Sequence, residues 1–235
     1  MIIAAPKSDL SKIDFQEGCV IPVDKDLEWT SFDVVNKIRR YLPVKKVGHA
    51  GTLDPLATGL VLLCSGKYTK RLNELMGQKK TYEGMIVLGK TTPSYDLETE
   101  VEYSGDTSNL SEDQIIEASK TFIGEISQVP PLYSAIKVKG ERAYKKARKK
   151  EDHKLEPRQI NIELFEIDRI ELPNVYFRLI CSKGTYVRSL ARDLGEKLNV
   201  GAYLGALRRT AIGNFAVSDA WKVHDFVERY EEVPR

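Results

Sequence analysis

The chain has 235 residues, of which 42% are hydrophobic and 30% charged, and its formal net charge is only +2. This composition is typical of a globular protein that buries a substantial core in one large domain or two intimate subdomains. No apolar stretch approaches the ~20 residues that span a bilayer, and the apolar N-terminal segment is too short for a signal peptide.

The cysteine content indicates a reducing compartment. Three cysteines are present, Cys19, Cys64 and Cys181, and none forms a CxxC pair. A sparse, odd set of this kind predicts buried thiols in a cytoplasmic protein and argues against a catalytic cysteine or a thiolate metal site. The histidines suggest no metal site either, since they are far apart in sequence: His49, His153 and His224.

Strand and helix patterns alternate in the first half of the chain. Residues 18–23 predict a strand, and Thr30 or Ser31 is placed to cap the helix that follows. A second helical stretch covers residues 71–76. Residues 80–89 alternate apolar and polar side chains, which predicts another strand.

The second half continues this mixture, starting with a capping-box pattern at residues 111–114 that predicts a helix as far as Phe122. The remaining predicted elements are strands at 124–129, 132–138, 159–172 and 175–182, a helix at 185–198, a strand at 207–217 and a helix from Asp219. No repeat or low-complexity linker divides the chain. The mixed order therefore predicts an α+β fold around one largely antiparallel sheet with flanking helices.

Charge is distributed unevenly along the chain. Residues 137–150 carry eight Lys or Arg against one acid, Glu141, whereas residues 97–117 carry seven acids and no base. Such polarisation presents a basic face to a phosphate backbone even when the net charge is small. The plainer alternative is a solvated surface, because residues 140–150 also have the pattern of a short exposed helix.

One stretch concentrates reactive residue types, at residues 48–59 with the sequence GHAGTLDPLATG. It contains one carboxylate, Asp54, one imidazole, His49, and three glycines, which allow sharp turns and the close approach of a ligand. Pro55 biases Asp54 toward extended geometry, so the backbone directs its side chain. In the structural alternative Asp54 caps a helix that begins at Pro55. The two interpretations are compatible.

Three further segments carry residues suited to a site. Tyr82 lies at the start of a predicted strand, Tyr186 and Arg188 follow a glycine turn that leads into a helix, and Leu207 precedes two arginines. Taken singly, Tyr82 is more often a core residue than a catalytic one, and the other side chains are ordinary surface contacts. Only their combination with residues 48–59 indicates a shared function.

Together these segments resemble the TruB-type tRNA pseudouridine-55 synthases. The strings GHAGTLDPLATG, QVPPLYSAIKVKGERAYKKAR and CSKGTYVRSL occupy residues 48–59, 128–148 and 181–190, in the order expected for the family. The resemblance runs from about residue 19 to residue 215. It implies a pseudouridine synthase fold, with a mixed sheet, flanking helices and a catalytic cleft. It also implies isomerisation of uridine 55, in the T-arm of tRNA, to pseudouridine.

The resemblance implies a role for each candidate residue. Asp54 would be the catalytic carboxylate, Arg188 its counter-charge and Tyr82 the ring against the target base. His49 would enter the RNA stack beside the extruded uridine. Tyr186 would contact the bound nucleotide, Leu207 would line its pocket, and Lys25 would have a structural role.

The resemblance also implies that the basic tract belongs to a mobile excursion, at about residues 130–157, which closes on tRNA. Its composition is consistent with mobility, because it is charged, weakly apolar and flanked by proline. The side chains expected to bind RNA are Lys137, Lys139, Arg142, Lys145, Lys146 and Arg148.

The implied reaction suits these residue types. It breaks the N-glycosidic bond, turns the uracil and rejoins it through carbon, so it needs neither a redox change nor a metal, and no cofactor is expected. It needs an ionised carboxylate in a pocket that excludes water. Burial raises the pKa of an aspartate and a nearby arginine opposes that rise. Extruding the base costs a few kcal/mol, which an aromatic platform and an inserted imidazole offset in part. The sequence is compatible with three different first steps for Asp54: attack at C1′, removal of a sugar proton, or addition to the uracil ring.

The chain departs from the family pattern in two places. The usual Lys-Pro-x-Gly turn appears here as Lys25-Asp26-Leu27-Glu28, without its proline and glycine. The sequence also ends at Arg235, so we expect a single catalytic domain over residues 1–235 with no C-terminal PUA domain. RNA affinity would then depend on this domain and its basic tract, and binding would be more sensitive to salt. We expect a monomer that needs no protein partner and no membrane.

Two other functions compete with the enzyme hypothesis. A non-catalytic RNA-binding or tRNA-folding protein on the same scaffold would keep the basic tract and His49 but could dispense with Asp54 and Arg188. The joint presence of those two residues argues against it. A hydrolase with an aspartate nucleophile is less well supported, because no second carboxylate lies at motif spacing to act as acid or base.

Overall fold

A computed structural model describes residues 1–103, 105–134, 137–138, 141–142 and 155–233, with the backbone alone at 137–138 and 141–142. The chain divides into two compact units. The first unit combines Met1–Tyr82 with Leu207–Arg235, and the second is Glu83–Ala206.

The elements follow one another in mixed order. The strands are β1 (Val20–Lys25), β2 (Val47–His49), β3 (Ala57–Ser65), β4 (Lys80–Leu88), β5 (Lys90–Thr91), β6 (Glu102–Tyr103), β7 (Gly124–Gln128), β8 (Lys137–Val138), β9 (Glu141–Arg142), β10 (Arg158–Glu171), β11 (Asn174–Cys181), β12 (Ala202–Ile212), β13 (Phe215–Ala216) and β14 (Trp221–Lys222). The α-helices are α1 (Ser31–Arg39), α2 (Leu72–Gly77), α3 (Glu112–Lys120), α4 (Val187–Lys197) and α5 (Val223–Glu231). Short 3-10 turns occupy Leu10–Lys12, Gly66–Arg71 and Val217–Asp219.

Strand β3 is the centre of the first unit. It pairs along one edge with β1, antiparallel, and β1 in turn pairs with β14. On the opposite edge the start of β3 pairs in parallel with β12, and its end pairs antiparallel with β2. The apolar run of β3 is fully enclosed because both of its edges and both of its faces are covered. It contributes to a buried cluster of Val20, Ala50, Leu60, Leu62, Cys64, Leu75 and Ile212.

Helix α1 begins where the sequence predicts. Thr30 is the N-cap, its hydroxyl accepts the backbone N–H of Asp33 at 3.1 Å, and the Asp33 carboxylate accepts the backbone N–H of Thr30 at 2.9 Å. This capping box pairs N–H groups that the helix itself leaves unbonded. The helix then buries its apolar face through Val34, Val35 and Ile38.

The second unit is built on the long antiparallel pair of β10 and β11, with β7 on the other edge of β10. Phe165 and Phe177 face each other across the pair, edge to face, with ring centroids 5.6 Å apart. Helix α3 starts at a capping box of Ser111 and Gln114, as the sequence predicts. Helix α4, within the helix predicted at 185–198, buries Val187, Leu190, Ala191 and Leu194 along one side.

The structure confirms the predicted α+β class with a large, mostly antiparallel sheet. Some local predictions are wrong. No helix begins at Pro55, because the apolar run that follows is taken up by β3 from Ala57 onward. Residues 132–134 are not in a strand, and Glu141 and Arg142, within the helix predicted at 140–150, form β9; the other residues of that predicted helix lie outside the described ranges. The strand predicted at 207–217 is β12, which begins earlier, at Ala202, and the last helix begins at Val223, with a 3-10 turn before it.

Candidate functional site

The segment between β2 and β3, residues 50–56, is here called the Asp54 loop. It leaves β2 at His49 and enters β3 at Ala57, and it lies on the edge of β3 that also carries β12. Gly59, just beyond the loop, has a φ of +106°, and a Cβ at this position would lie 2.3 Å from the carbonyl oxygen of Arg209. Only glycine permits so close a contact between β3 and β12 at the point where the loop joins β3.

Arg209 on β12 holds the loop from one side. Its side chain is 1% exposed, and its Nε donates to the carbonyl of Leu60 at 2.7 Å. Its two terminal nitrogens donate to the carbonyls of Thr52 and Gly51, each at 3.3 Å. A guanidinium is suited to this position because it has five donors and no acceptor. One buried cation therefore satisfies carbonyls of the loop and of β3.

Ser31, the first residue of α1, holds the loop from another side. Its hydroxyl is fully buried, accepts the backbone N–H of Leu53 at 2.8 Å and approaches the carbonyl of Leu53 at 3.2 Å. Leu53 itself is 3% exposed. The residue immediately before Asp54 is thus fixed both by packing and by hydrogen bonding.

The residue immediately after Asp54 is fixed as well. The carbonyl of Pro55 accepts the backbone N–H of Glu28 at 2.9 Å and the Nζ of Lys25 at 3.3 Å. Lys25 is fully buried at the end of β1 and donates further to the carbonyls of Asp26 and Trp29. Burial lowers the pKa of Lys25 to about 8, and the charge of Asp54 opposes that decrease. Lys25 therefore holds the 26–29 turn and the Asp54 loop through hydrogen bonds, as a residue with a structural role would.

Asp54 lies between these two fixed neighbours and is half-buried. Its carbonyl accepts the backbone N–H of Ala57, which closes the turn into β3. The carboxylate thus sits on a rigid turn in the electrostatic field of a buried lysine. This arrangement is suited to hold an ionised carboxylate against one atom of a ligand with little reorganisation.

His49 is the last residue of β2 and pairs with Leu63 of β3. Its Nδ1 is buried and has no hydrogen-bond partner within the described part of the chain. Burial lowers the pKa of the imidazole, the backbone of Gly51 opposes this decrease, and the positive charge of Arg209 adds to it. The ring is therefore neutral at neutral pH, as suits insertion into a base stack better than attraction to a phosphate.

Two more predicted residues belong to the same unit. Leu207 on β12 is half-buried and lies in register with Ala57, three residues after Asp54. Tyr82 on β4 is 8% exposed, so its ring is largely enclosed. The first unit therefore contains His49, Asp54, Tyr82 and Leu207, and its sheet brings His49, Asp54 and Leu207 to one edge of β3.

The second unit contains Tyr186 and Arg188, at the start of α4. Tyr186 is the N-cap, and its backbone is held at both polar groups by Gln128 of β7. The Gln128 Oε1 accepts the Tyr186 N–H at 2.9 Å, and its Nε2 donates to the Tyr186 carbonyl at 3.1 Å. Gln128 is 2% exposed, so this pairing is shielded from water.

Arg188 is 4% exposed and its guanidinium is surrounded by acceptors. Its nitrogens donate to the carbonyls of Ser94 and Tyr133, and one lies 3.5 Å from a carboxylate oxygen of Asp96. The side chain is thus positioned by three groups of its own unit. The expected pairing of Arg188 with Asp54 stays a prediction.

The predicted RNA-binding side chains cannot be placed in the same way. Lys139, Lys145, Lys146 and Arg148 lie outside the described residues, as does His153. Lys137 and Arg142 lie opposite each other in the β8–β9 hairpin, of which the structure describes the backbone. Their role in RNA binding stays a prediction.

The described residues gather no three His, Cys, Asp or Glu side chains that could hold a metal ion. The cysteines are buried, as predicted, and burial raises the pKa of Cys19 to about 11 and that of Cys64 to about 12. Thiols with such pKa values are poor nucleophiles at neutral pH. Across the same described ranges, every helix is too short or too polar to span a bilayer.

Sequence reasoning missed three side chains that position the site: Ser31, Gln128 and Arg209. Arg209 and Gln128 lie in segments that the sequence singles out, but the sequence predicts site roles only for other residues of those segments. A weak signal was available, because a polar residue between apolar positions of a strand is rarely buried without a partner. Their specific partners depend on the tertiary fold.

The chain is similar to known proteins along most of its length. The family model described as TruB family pseudouridylate synthase (N terminal domain) matches residues 39–187, and that described as tRNA pseudouridylate synthase B C-terminal domain matches residues 188–233. The tRNA pseudouridine synthase B of Flavobacterium johnsoniae is 50% identical over 92% of this chain and 97% of its own length. That of Phocaeicola vulgatus is 49% identical over 92% of this chain and 94% of its own length.

A solved structure of a Cbf5-Nop10-Gar1 complex is also similar. It is 32% identical with a TM-score of 0.73, over 95% of this chain and 57% of the matched chain. The present chain therefore spans little more than half the length of that structural relative, whereas it spans almost all of the two bacterial relatives.

Proposed function

Because the chain belongs to the TruB family of pseudouridylate synthases, we propose that it isomerises a uridine of tRNA, at position 55 of the T-arm, to pseudouridine. The substrate is proposed from the names of the bacterial relatives, which are tRNA pseudouridine synthases. The position is proposed from the family resemblance. The reaction is balanced without a further reactant: the C1′–N1 bond breaks, a C1′–C5 bond forms, the proton on C5 leaves and N1 gains a proton.

The observation that carries this proposal is the construction of the Asp54 loop. Buried side chains from β1, α1 and β12 fix the residues on both sides of Asp54, yet its own side chain is half-buried. A purely structural turn would not need three buried polar side chains to hold one half-buried carboxylate. Fixing the backbone so firmly is expected where one carboxylate must meet one atom of a substrate.

The other residues have supporting roles in this proposal. The neutral His49 takes the place of the extruded base, Tyr82 and Leu207 contact the uracil, and Tyr186 contacts the nucleotide. The assignment of Arg188 as the counter-charge of Asp54 comes from the family resemblance alone. The basic tract at about residues 130–157 contributes phosphate contacts.

The proposed enzyme acts as a single catalytic domain, as a monomer on tRNA, without a cofactor or a protein partner. We also propose a cytoplasmic location, which is where tRNA substrates and reduced thiols occur together. The three buried cysteines, none of which forms a disulfide within the described residues, are consistent with that location.

Tritium release from tRNA that carries 5-tritiated uridine tests this function. Wild-type protein should release tritium, and Asp54→Asn should be slower by at least about a thousandfold, because removing a group that acts on the reacting atoms costs this much or more. Asp113→Asn, an exposed carboxylate in the first turn of α3, is the matched control and should retain full activity.

Two results would contradict the proposal. A wild-type protein that binds tRNA but releases no tritium is a non-catalytic RNA-binding protein, which is the competing hypothesis. If Asp54→Asn is fully active while wild type is active, the reaction assignment survives and the role of Asp54 is wrong. Thermal unfolding of each variant shows whether a loss of activity reflects a loss of folding.

A further inference from the structure

Ser134, in the second unit, has a buried hydroxyl without a partner. The residue is 4% exposed, and within the described part of the chain its Oγ forms no hydrogen bond. Buried hydroxyls almost always have a partner, because burial without one costs the group its hydrogen bonds to water. The exception at Ser134 therefore needs a physical explanation.

The other buried hydroxyls of the protein show how unusual Ser134 is. Among the described residues, every other buried serine or threonine has a hydrogen-bond partner in the protein: Ser31, Ser65, Thr92, Ser94, Ser119 and Ser189. His49, whose Nδ1 is also buried and unpartnered, is one of the residues assigned to the site. An unpartnered buried group thus coincides with an assigned substrate contact at His49, and the same explanation can apply to Ser134.

Ser134 lies beside the start of α4. The carbonyl of the preceding residue, Tyr133, accepts the guanidinium of Arg188 at 3.0 Å. Earlier in the same segment, Gln128 pairs with both polar groups of the Tyr186 backbone. The chain that leads to Ser134 is therefore attached to the two residues of this unit that were assigned to the substrate.

The proposed function leaves one part of the target base without a polar partner. Tyr82 and Leu207, the residues assigned to the uracil, offer it an aromatic ring and an apolar side chain. Enzymes that extrude a base read it through hydrogen bonds to its Watson–Crick edge. We propose that the Ser134 hydroxyl forms a hydrogen bond with this edge of the extruded uracil. The inference rests on the proposed function for the identity of the nucleotide.

A serine hydroxyl suits the polar edge of uracil, where an N–H lies between two carbonyl groups. The hydroxyl has one donor and two acceptor lone pairs, so it can pair with either kind of group. Before RNA binds, the Ser134 hydroxyl has no bond to another described residue, so the contact breaks no bond of that kind. The group is thus already available to a ligand.

Ser134→Ala tests the contact by separating activity from stability. The kcat/KM for tritium release should decrease about ten- to a hundredfold, because the uracil edge would enter the site without its partner. The melting temperature should be unchanged or higher, because the variant removes a buried hydroxyl that has no bond to lose among the described residues. A side chain that only supports the fold would not give both results.

Ser119→Ala is the matched control. Ser119 on α3 is 1% exposed, but its hydroxyl donates to the carbonyl of Ile116 in the same helix at 2.8 Å. This variant should melt slightly below wild type and keep the wild-type kcat/KM. The two serine variants should therefore show opposite patterns of stability and activity.

A tRNA with an abasic residue at the target position shows which part of the nucleotide Ser134 contacts. Wild type and Ser134→Ala should bind this RNA with equal affinity in equilibrium titrations, because the base that the hydroxyl meets is missing. If Ser134→Ala binds the abasic tRNA about tenfold more weakly than wild type does, the hydroxyl contacts another part of the RNA and the inference is wrong.

The remaining outcomes separate this inference from the proposed function. If Ser134→Ala keeps the wild-type kcat/KM while wild type releases tritium, Ser134 does not contact the base and the enzyme assignment stands. A decrease in melting temperature also overturns the inference, because the hydroxyl then supports the fold, for example through a buried water. If wild type releases no tritium, the proposed function is wrong and the inference falls with it.

Discussion

The Asp54 loop and the start of α4 are both held in place by buried side chains, but of different kinds. In both, a side chain expected to meet substrate extends from a backbone that buried polar side chains hold in place. In the loop the holding groups are cations, Lys25 and Arg209, which donate to several carbonyls. At the start of α4 the holding group is a neutral amide, Gln128, which pairs with both polar groups of Tyr186.

The difference follows from which backbone groups each region turns inward. The loop and its surroundings direct carbonyls inward, and a cationic side chain supplies several donors with no acceptor to satisfy. An N-cap residue presents one N–H and one carbonyl, which a carboxamide matches with one acceptor and one donor. The loop therefore depends on buried charge, whose removal is costly, whereas the helix start depends on ordinary hydrogen bonds.

The largest expected effect is at Arg209. Arg209→Met should lower the free energy of unfolding by about 4 kcal/mol, because the carbonyls of Gly51, Thr52 and Leu60 lose their donor in the interior. Arg209→Lys should lie between this variant and wild type, since an ammonium keeps the charge but cannot reach all three carbonyls. Denaturant unfolding measures both variants.

The control for this test is Arg229→Met. Arg229 on α5 pairs with Glu232 at 3.0 Å, but both side chains are more than half exposed. Such a pair contributes about 0–1 kcal/mol, so the unfolding free energy should barely change. Equal losses for Arg209→Met and Arg229→Met would show that the contacts of Arg209 with the loop are not important for stability.

The same two regions show which features of the structure can be predicted from the sequence. The cap of α1, the capping box of α3, the helix at α4 and the grouping of Asp54 with His49 depend on local spacing, and the sequence predicts them. The cap at Asp54 was wrong because local propensity favours Asp-Pro as a helix start, while the tertiary sheet takes the following residues into β3. Ser31, Gln128 and Arg209 reach backbone groups 22, 58 and about 150 residues away, and spacing along the chain carries no record of such contacts.

The second test concerns the pH dependence that a buried cation creates. Lys25 has a pKa of about 8 in the folded protein, against 10.5 for a free lysine. Between these values the unfolded chain binds the extra proton, so the free energy of unfolding rises with pH. The stability of wild type relative to Lys25→Met should therefore increase from pH 8 to pH 10.5, by about 3 kcal/mol at most. Subtracting the variant removes the contribution of other lysines and of tyrosines.

The opposite sign is equally informative. If the advantage of wild type stays flat through this window and shrinks only above pH 10.5, Lys25 is held as an ammonium by Asp54 and the surrounding carbonyls, and its pKa is raised. The charge on Lys25 would then be part of what keeps the loop folded at neutral pH. Measurements at pH 7, 8, 9, 10 and 10.5 distinguish the two cases.

The smallest effect is expected at Gln128, and it completes the comparison. Gln128→Leu should lower the unfolding free energy by about 2 kcal/mol, the cost of leaving one buried backbone N–H without an acceptor. The Tyr186 carbonyl keeps a partner, since it also accepts the N–H of Leu190 at 3.1 Å. Because no charge is involved, the loss should be the same at pH 7 and pH 10.

The control is Gln114→Leu, which removes an exposed capping bond and should lower the unfolding free energy by about 1 kcal/mol. A pH-dependent loss at Gln128 would mean that the start of α4 also relies on charge, and the distinction between the two regions would be wrong.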